Sequence, residues 1–417
     1  MPAREDCPHF IPVQTPELVR LFAADPSLPE PLREPLAALA ARVQQVYHRR
    51  LHRRLVALKA EYEPFDPDSD SPPLAPPSAQ ERQRRLNLLL SDFGWLLDRA
   101  HFRHLSRDDL EAVLEDASDW GIHMQVDFSR FDHCAIFARG EGYQTRVLRS
   151  WKTLFRDAEV EVPIFRRLVL ILKLRPDPRL PRRVEADHVH LKVFKDIPRA
   201  DVDMLLPGAK VRLKLFDRGR IGVGLISGLA TMLWRMGQEA WEFVGHILAA
   251  DPAAKMSVFW GLTAGALGYG YKSYYDVRTT RQAYHLNLTQ SLYFQCLDSN
   301  AGVLTRLFDE AEEQETRTTL LAYFCLWRCA GPEGMTAEEL EAAMGLYLDR
   351  FAGVTMLCEP GEPATKLLRL GLARQDGVRY HATPLADALA GLDGLPDDDP
   401  AAVGGRNVRP APIPTRG

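Results

Sequence analysis

The chain has 417 residues, 46% hydrophobic and 26% charged, a composition that excludes disorder over most of its length and allows two or three domains. With 52 Lys and Arg against 56 Asp and Glu, the formal net charge of −4 excludes a globally basic nucleic-acid or lipid-binding surface. Six scattered cysteines suit a reducing compartment better than a disulfide scaffold, and the start Met1-Pro-Ala-Arg-Glu-Asp6 lacks the basic-then-apolar pattern of a secretory signal and the acid-poor character of a transit peptide.

Residues 1–120 read as a helical N-terminal region. From Leu36 to Tyr62, Leu39, Val43, Val46, Tyr47, Leu51, Leu55 and Leu58 recur at steps that share one helical face. The other face is basic, with Arg42, Arg49, Arg50, Arg53, Arg54 and Lys59. Pro64, Pro67 and Ser71-Pro-Pro-Leu-Ala-Pro-Pro77 break the helix. A second helix is expected over 79–100, and Ser106-Arg-Asp-Asp109 resembles an N-cap opening a third.

Over 121–218 the period shortens to that of strands. Ile122–Phe128, Cys134–Phe137, Val162–Leu174, His188–Phe194 and Lys210–Phe216 are short branched and aromatic runs separated by Gly, Pro and Asp. Long helices do not separate most of them, so an antiparallel or mixed sheet in an α+β domain is expected. Pro198 is expected to open a short helix over 199–206, closed by Pro207-Gly208.

Residues 219–275 form an apolar helical hairpin in this reading. Ile221–Trp234 is uncharged for 14 residues and Met256–Tyr271 for 16. Both are short for a membrane span, which needs about 20, so length alone also fits a buried soluble hairpin. Gly261-x-x-x-Gly265 and the basic outer flanks (Arg212, Lys214, Arg218 and Arg220 before, Lys272, Arg278 and Arg281 after) favour a membrane hairpin with both soluble parts on the positive, cytoplasmic side. Arg235, Glu239 and Glu242 point to shallow or tilted insertion rather than two full spans.

Residues 276–396 read as helical, with Asp309-Glu-Ala-Glu-Glu-Gln-Glu315 as a solvated acidic face. A helix over 318–329, a capping box at Thr336-Ala-Glu-Glu339, a third helix over 363–370 and a hairpin turning at Asp376-Gly377 give the winged-helix order. The tail 397–417 is expected to be disordered.

No catalytic motif emerges, and no cofactor or metal site. Asp92-Phe-Gly94 lacks the rest of a kinase signature. Gly219-Arg-Ile-Gly-Val-Gly224 has the wrong glycine order for a dinucleotide loop. His48 and His52 lie at metal-ligand spacing on a helix, but the flanking arginines would repel a cation; Arg49, Arg50, Arg53 and Arg54 fit an anion or lipid headgroup better. His188 and His190 share a strand face and read as surface histidines, and Cys325 and Cys329 as buried thiols on one helix face. From Gly331 to Pro396 ten acidic residues face five basic, which argues against nucleic acid.

Leu191-Lys-Val-Phe-Lys-Asp-Ile-Pro198, with Asp201 and Leu205-Leu-Pro-Gly208, resembles an uncharacterised family that includes animal transmembrane protein 143. Phe10-Ile-Pro-Val13, Glu63-Pro-Phe-Asp-Pro67, Arg139-Gly-Glu141, Leu292-Tyr-Phe294 with Leu297 and Asn300, and Glu310–Glu315 follow in the same order. The resemblance implies a domain of unknown function with two membrane passes where the apolar pair falls, and it assigns no catalytic residues. Lys195, Asp196, Pro198, Asp201, Pro207 and Gly208 form its clearest motif; Asp196 and Pro198 read as helix-initiating residues.

The expected function is a non-enzymatic interaction platform at a membrane, binding lipid and an unidentified protein partner. A bacterial inner membrane and an organelle membrane both stay open. The alternatives are an enzyme or binder for phosphorylated or lipid headgroup ligands on the basic helix 42–59, and a soluble DNA-binding regulator built on the winged helix.

Overall fold

The computed structural model describes residues 10–70, 77–106, 109, 123–125, 128–149, 157–175, 188–206, 210–212, 293–354, 356 and 361–395. The apolar pair within 219–275, residues 207–209 and the tail 397–417 lie outside the described residues. The chain forms two compact units: Met1–Leu110, Phe128–Arg199 and Cys296–Gly417 make the first, Glu111–Asp127 and Ala200–Gln295 the second.

The long apolar stripe folds as its period requires. Helix α1 (Thr15–Ala24) leads to α2 (Glu30–Tyr62), which buries Leu39, Val43, Val46, Leu51, Leu55, Leu58 and Tyr62 along one side. Burying each such side chain stabilises by about 1.5–3 kcal/mol, enough to hold a 33-residue helix whose other face is charged. Helix α3 (Ala79–Arg99) starts where Ser78 accepts a hydrogen bond from the Glu81 amide. It contains Asp92-Phe-Gly94 as ordinary helix. At Ser106 the hydroxyl accepts from the Asp109 amide, as an N-cap there should, and the Asp109 carboxylate accepts from the Ser106 amide; the third helix expected to follow lies outside the described residues.

The sheet of the first unit is antiparallel. It comprises β1 (Arg103–His104), β3 (Phe131–Arg149), β4 (Asp157–Leu174), β5 (Val189–Pro198) and β7 (Cys296–Ser299), in the order β1-β3-β4-β5-β7. Strands β3 and β4 extend well beyond the expected runs 134–137 and 162–174. In the second unit β2 (His123–Gln125) pairs antiparallel with β6 (Lys210–Arg212).

Two features depart from expectation here. The helix expected to run on from beyond Tyr275 is interrupted by β7, which pairs with β5 through Lys192–Phe194. Asp196 and Pro198 do not initiate a helix: both belong to β5, with Asp196 at φ +50°, and the 3-10 turn begins only at Arg199. Pro198 sits at the strand end, where no further ladder bond is needed.

Helix α4 (Ala301–Cys329) is the central element of the first unit. All of its residues from Gln314 to Leu326 are buried, as a helix packed on every side must be. Phe22 of α1 stacks on its Phe324 with centroids 4.3 Å apart. It is one helix of 29 residues, not a separate one starting at Thr318.

Then follow α5 (Ala337–Ala352) behind the Thr336–Glu339 capping box, α6 (Glu362–Arg369), the hairpin β8 (Ala373–Asp376) and β9 (Arg379–Ala382), and α7 (Leu385–Asp393). The hairpin loop is Gly377-Val378, one residue beyond the expected turn, because Asp376 still pairs with Arg379. Met335 bridges to Tyr380.

Candidate functional site

The acidic run Asp309–Glu315 is solvated only in part: Asp309 and Glu313 are exposed, but its other members turn inward. Glu315 is 1% exposed and Gln314 3%. Gln314 pairs with the backbone of Ile11 at both ends of its amide, accepting from the Ile11 amide at 3.0 Å and donating to its carbonyl at 3.2 Å. Arg317 Nη1 donates to the same carbonyl at 3.1 Å and also pairs with Glu313. From β3, Arg139 Nη2 donates to Glu310 Oε2 at 2.6 Å and Nη1 to the Ala100 carbonyl at 2.8 Å. Its guanidinium lies over the rings of Phe10 and Phe102.

One helical step along, Glu315 accepts from Arg99 Nη1 at 2.8 Å and meets Lys366 Nζ at 3.2 Å. Lys366 also pairs with Glu362 at 2.7 Å. The pieces Phe10–Val13, Arg139–Glu141 and Glu310–Glu315, scattered along the sequence, therefore meet in one buried ionic cluster. No spacing rule could have found it, since each partner lies on a different element.

Electrostatics decides what this cluster can do. Burial alone would raise the Glu315 carboxyl, but Lys366 and Arg99 overcome it and hold the group below the usual carboxylate range. Burial would lower the Lys366 ammonium, yet Glu315 and Glu362 push it upward instead. His101, at φ +57°, is driven down to about 4 by burial and then by the Lys366 charge. Glu315 and Lys366 are held in their charged forms and His101 in its neutral form, the reverse of a general acid or base poised near its working pH. The cluster is a lock between elements.

A second junction joins another of the scattered pieces. Asn300, at φ +51°, donates from Nδ2 to Asp68 Oδ2 at 2.6 Å and accepts from the Leu191 amide at 3.3 Å. The Asp66 carboxylate accepts from the Asp68 amide at 3.0 Å, and the Tyr62 hydroxyl donates to the Val189 carbonyl at 2.8 Å. Glu63–Pro67 is thereby fixed to β5 and to the start of α4.

The four candidate arginines of α2, Arg49, Arg50, Arg53 and Arg54, split into two rows. Arg49 and Arg53 are exposed, whereas Arg50 and Arg54 are half-buried, with Arg54 lying 3.9 Å over the Trp95 ring of α3. Arg49 lines a groove of about 530 Å³ with Arg42, Gln45, His48, Glu312 and Asp393. His48 Nδ1 lies 2.9 Å from Glu312 Oε2, and Arg42 pairs with Asp393 at 2.8 Å.

Among the motif residues, Lys195 faces Arg167 across the ladder and Pro198 faces Ile164; Asp201 lies in the 3-10 turn. Pro207 and Gly208 lie outside the described residues. Beside the motif, Arg199 pairs with Glu141, which also accepts from Arg103.

His188 and His190 are half-buried rather than surface residues, and burial lowers His190. Cys325 is buried, but Cys329, the last residue of α4, is exposed. Among the described residues no group of three or more His, Cys, Asp or Glu could hold a metal ion.

An α+β architecture locked by buried ion pairs is the class these observations define. Residues 165–302 match the model of a family described as a protein of unknown function (DUF3754), a stretch from β4 to the first turn of α4. No solved structure matches the chain.

Proposed function

We propose that the chain is a non-enzymatic scaffold that presents an interaction module at a membrane surface. The observation that carries this reading is the pairing of β5 with β7. The chain leaves the sheet after β5, runs through the apolar segments Ile221–Trp234 and Met256–Tyr271, and returns beside the strand it left. The strands on either side of that excursion, β5 and β7, belong to one folded unit, so an excursion that entered a membrane would have to cross it an even number of times or dip in and return. Basic flanks on both outer ends agree with that geometry. Tyr293 and Phe294, 76% and 73% exposed, are aromatic side chains of the kind that sit at lipid headgroups.

Among the described residues no helix is long and apolar enough to cross a membrane, so the attachment rests on 219–275. The resemblance to the transmembrane protein 143 family supports the same reading. The order α4, α5, α6, β8, β9, with Met335 bridging to Tyr380, supports a winged helix as the presented module. DNA is the less favoured partner because α6 buries Pro363, Ala364, Lys366 and Leu367, leaving little to reach a groove. A protein partner on the cytoplasmic side fits better.

Extraction of a membrane fraction with alkaline carbonate tests the attachment. Retention in the pellet is expected, and full release into the supernatant would remove the integral hairpin from the account.

A further inference from the structure

We propose that the slot holding Phe10-Ile-Pro-Val13 is a peptide-docking site, filled in cis by this strap and able to take an extended segment of the same chemistry from another protein. The inference is independent of membrane attachment. The strap belongs to no helix or sheet, and Gln14 alone separates it from α1. It is nonetheless held as a bound peptide is held. Side chains bond both polar backbone groups of Ile11: Gln314 accepts from its amide at 3.0 Å and donates to its carbonyl at 3.2 Å, and Arg317 donates to that carbonyl at 3.1 Å. The two α4 side chains thus stand where a neighbouring strand would stand in peptide recognition by strand addition.

The strap's side chains alternate as along an extended peptide. Ile11 and Val13 are 1% and 8% exposed, while Pro12 and Gln14 are on the surface. Pro12 biases Ile11 to extended backbone, which keeps that alternation. The first position suits an aromatic ring: the Arg139 guanidinium lies 5.1 Å from the Phe10 centroid, and a Cβ on Gly140 would stand 3.1 Å from Phe10 Cε1. The slot therefore selects an aromatic residue, a branched aliphatic one, a free position and a second aliphatic, in that order.

Two buried side chains and the bonds to one residue's backbone are set against the entropy of ordering four residues, so a competitor can displace the strap. Leaving the slot empty is another matter. Gln314 and Arg317 are 3% and 8% exposed and would lose their backbone partner, so one occupant has to replace another. A second copy is the less suitable source. Its strap is joined through Gln14 to α1, which is anchored by buried Leu18 and by the stacking of Phe22 on Phe324, so exchange between copies would pull α1 from the core. A segment of a different protein enters once four residues lift.

The test uses the full chain and the peptide Phe-Ile-Pro-Val-Gln-Thr, acetylated at its N-terminus and carrying fluorescein at its C-terminus, with binding read by anisotropy. The strap competes in cis at an effective concentration of about 1 mM, so a peptide with a Kd of about 100 µM is weakened about tenfold in the parent. The full chain carrying Ile11→Ser and Val13→Ser, whose strap no longer fits, is expected to bind about tenfold more tightly than the parent. Phe10→Ala alone should give a smaller gain in the same direction, and it carries the comparison if circular dichroism shows the double variant unfolded. A peptide N-methylated at its Ile lacks the donor that Gln314 accepts from and should bind the same variant about tenfold more weakly, with no change to the protein. Equal affinity in the parent and the folded strap variants, no binding to those variants, or binding indifferent to N-methylation would overturn the proposal. A parent chain that is dimeric alone and monomeric with peptide would also overturn it, by giving the slot to a second copy.

Discussion

Arg139 on β3 and Glu310 on α4, 171 residues apart in sequence, meet through a 2.6 Å hydrogen bond at side chains only 10% and 16% exposed. A buried pair of this kind is strongly destabilised when one partner is removed, and much less when both are replaced by apolar groups. Arg139→Met is expected to cost about 3 kcal/mol, because Arg167 and Arg306 stand 3.9 and 4.0 Å from Glu310 and only partly compensate. Arg139→Met with Glu310→Leu should recover at least half of that. Denaturant midpoints decide it: a single variant as stable as the parent would show that the pair holds nothing.

The neighbouring triad gives an ordering. Glu315 faces two cations, Arg99 and Lys366, whereas Lys366 has a second partner in Glu362. Glu315→Leu removes the carboxylate that Arg99 and Lys366 share and should cost more than Lys366→Met, with both in the range of about 3–5 kcal/mol. The reverse order in equilibrium unfolding would mean that Lys366, not Glu315, is the centre of the lock.

Acid should loosen the same region in two stages. Folding depresses the His101 pKa from 6.5 to about 4, so the unfolded chain takes up that proton first as pH falls. The stability owed to neutral His101 is complete above pH 6.5 and is lost on the way down to 4, on the order of 3 kcal/mol. The Glu315 carboxyl is also depressed, from 4.5, so its contribution is lost at still lower pH. His101→Asn tolerates the left-handed backbone. It should flatten stability between pH 6.5 and 4, which thermal melts across that range would reveal.

Two glycines should respond oppositely to alanine. Gly94 sits inside α3 with open space around a Cβ, so Gly94→Ala should stabilise by about 0.5–1 kcal/mol. Gly140 has φ +69° and its Cβ would meet Phe10 Cε1 at 3.1 Å, so Gly140→Ala should destabilise by about 1–2 kcal/mol. Equal shifts in melting temperature would contradict the assigned backbone.

The parts legible in the sequence are those governed by local rules. The α2 stripe, the Thr336–Glu339 capping box and the β8–β9 hairpin follow from side-chain period, capping chemistry and a turn glycine, all within a few residues. Glu310 and Glu315 were illegible because a buried carboxylate and a solvated one look alike until the partner cation is placed. Those cations, Arg139, Arg99 and Lys366, arrive from other elements. Asp196 shows the same limit on a smaller scale. Two residues before a proline it reads as a helix start, but it lies within β5 at positive φ, between Lys195 and Ile197, which pair with Arg167 and Phe165 of β4. Only the arrangement of the sheet could tell the two apart.

The burial of α4 also orders events during synthesis. Helices α2 and α3 present apolar faces that are covered by a helix beginning at Ala301, and Ile11 waits for Gln314. At about 5–20 residues per second, a ribosome takes roughly 10–45 s to travel from the end of α3 to Gln314. The N-terminal helices stay uncovered for that interval, exposed to chaperones and to premature association. Residues 219–275 emerge within the same window, so any encounter of the apolar pair with a bilayer can begin before the core that flanks it has closed.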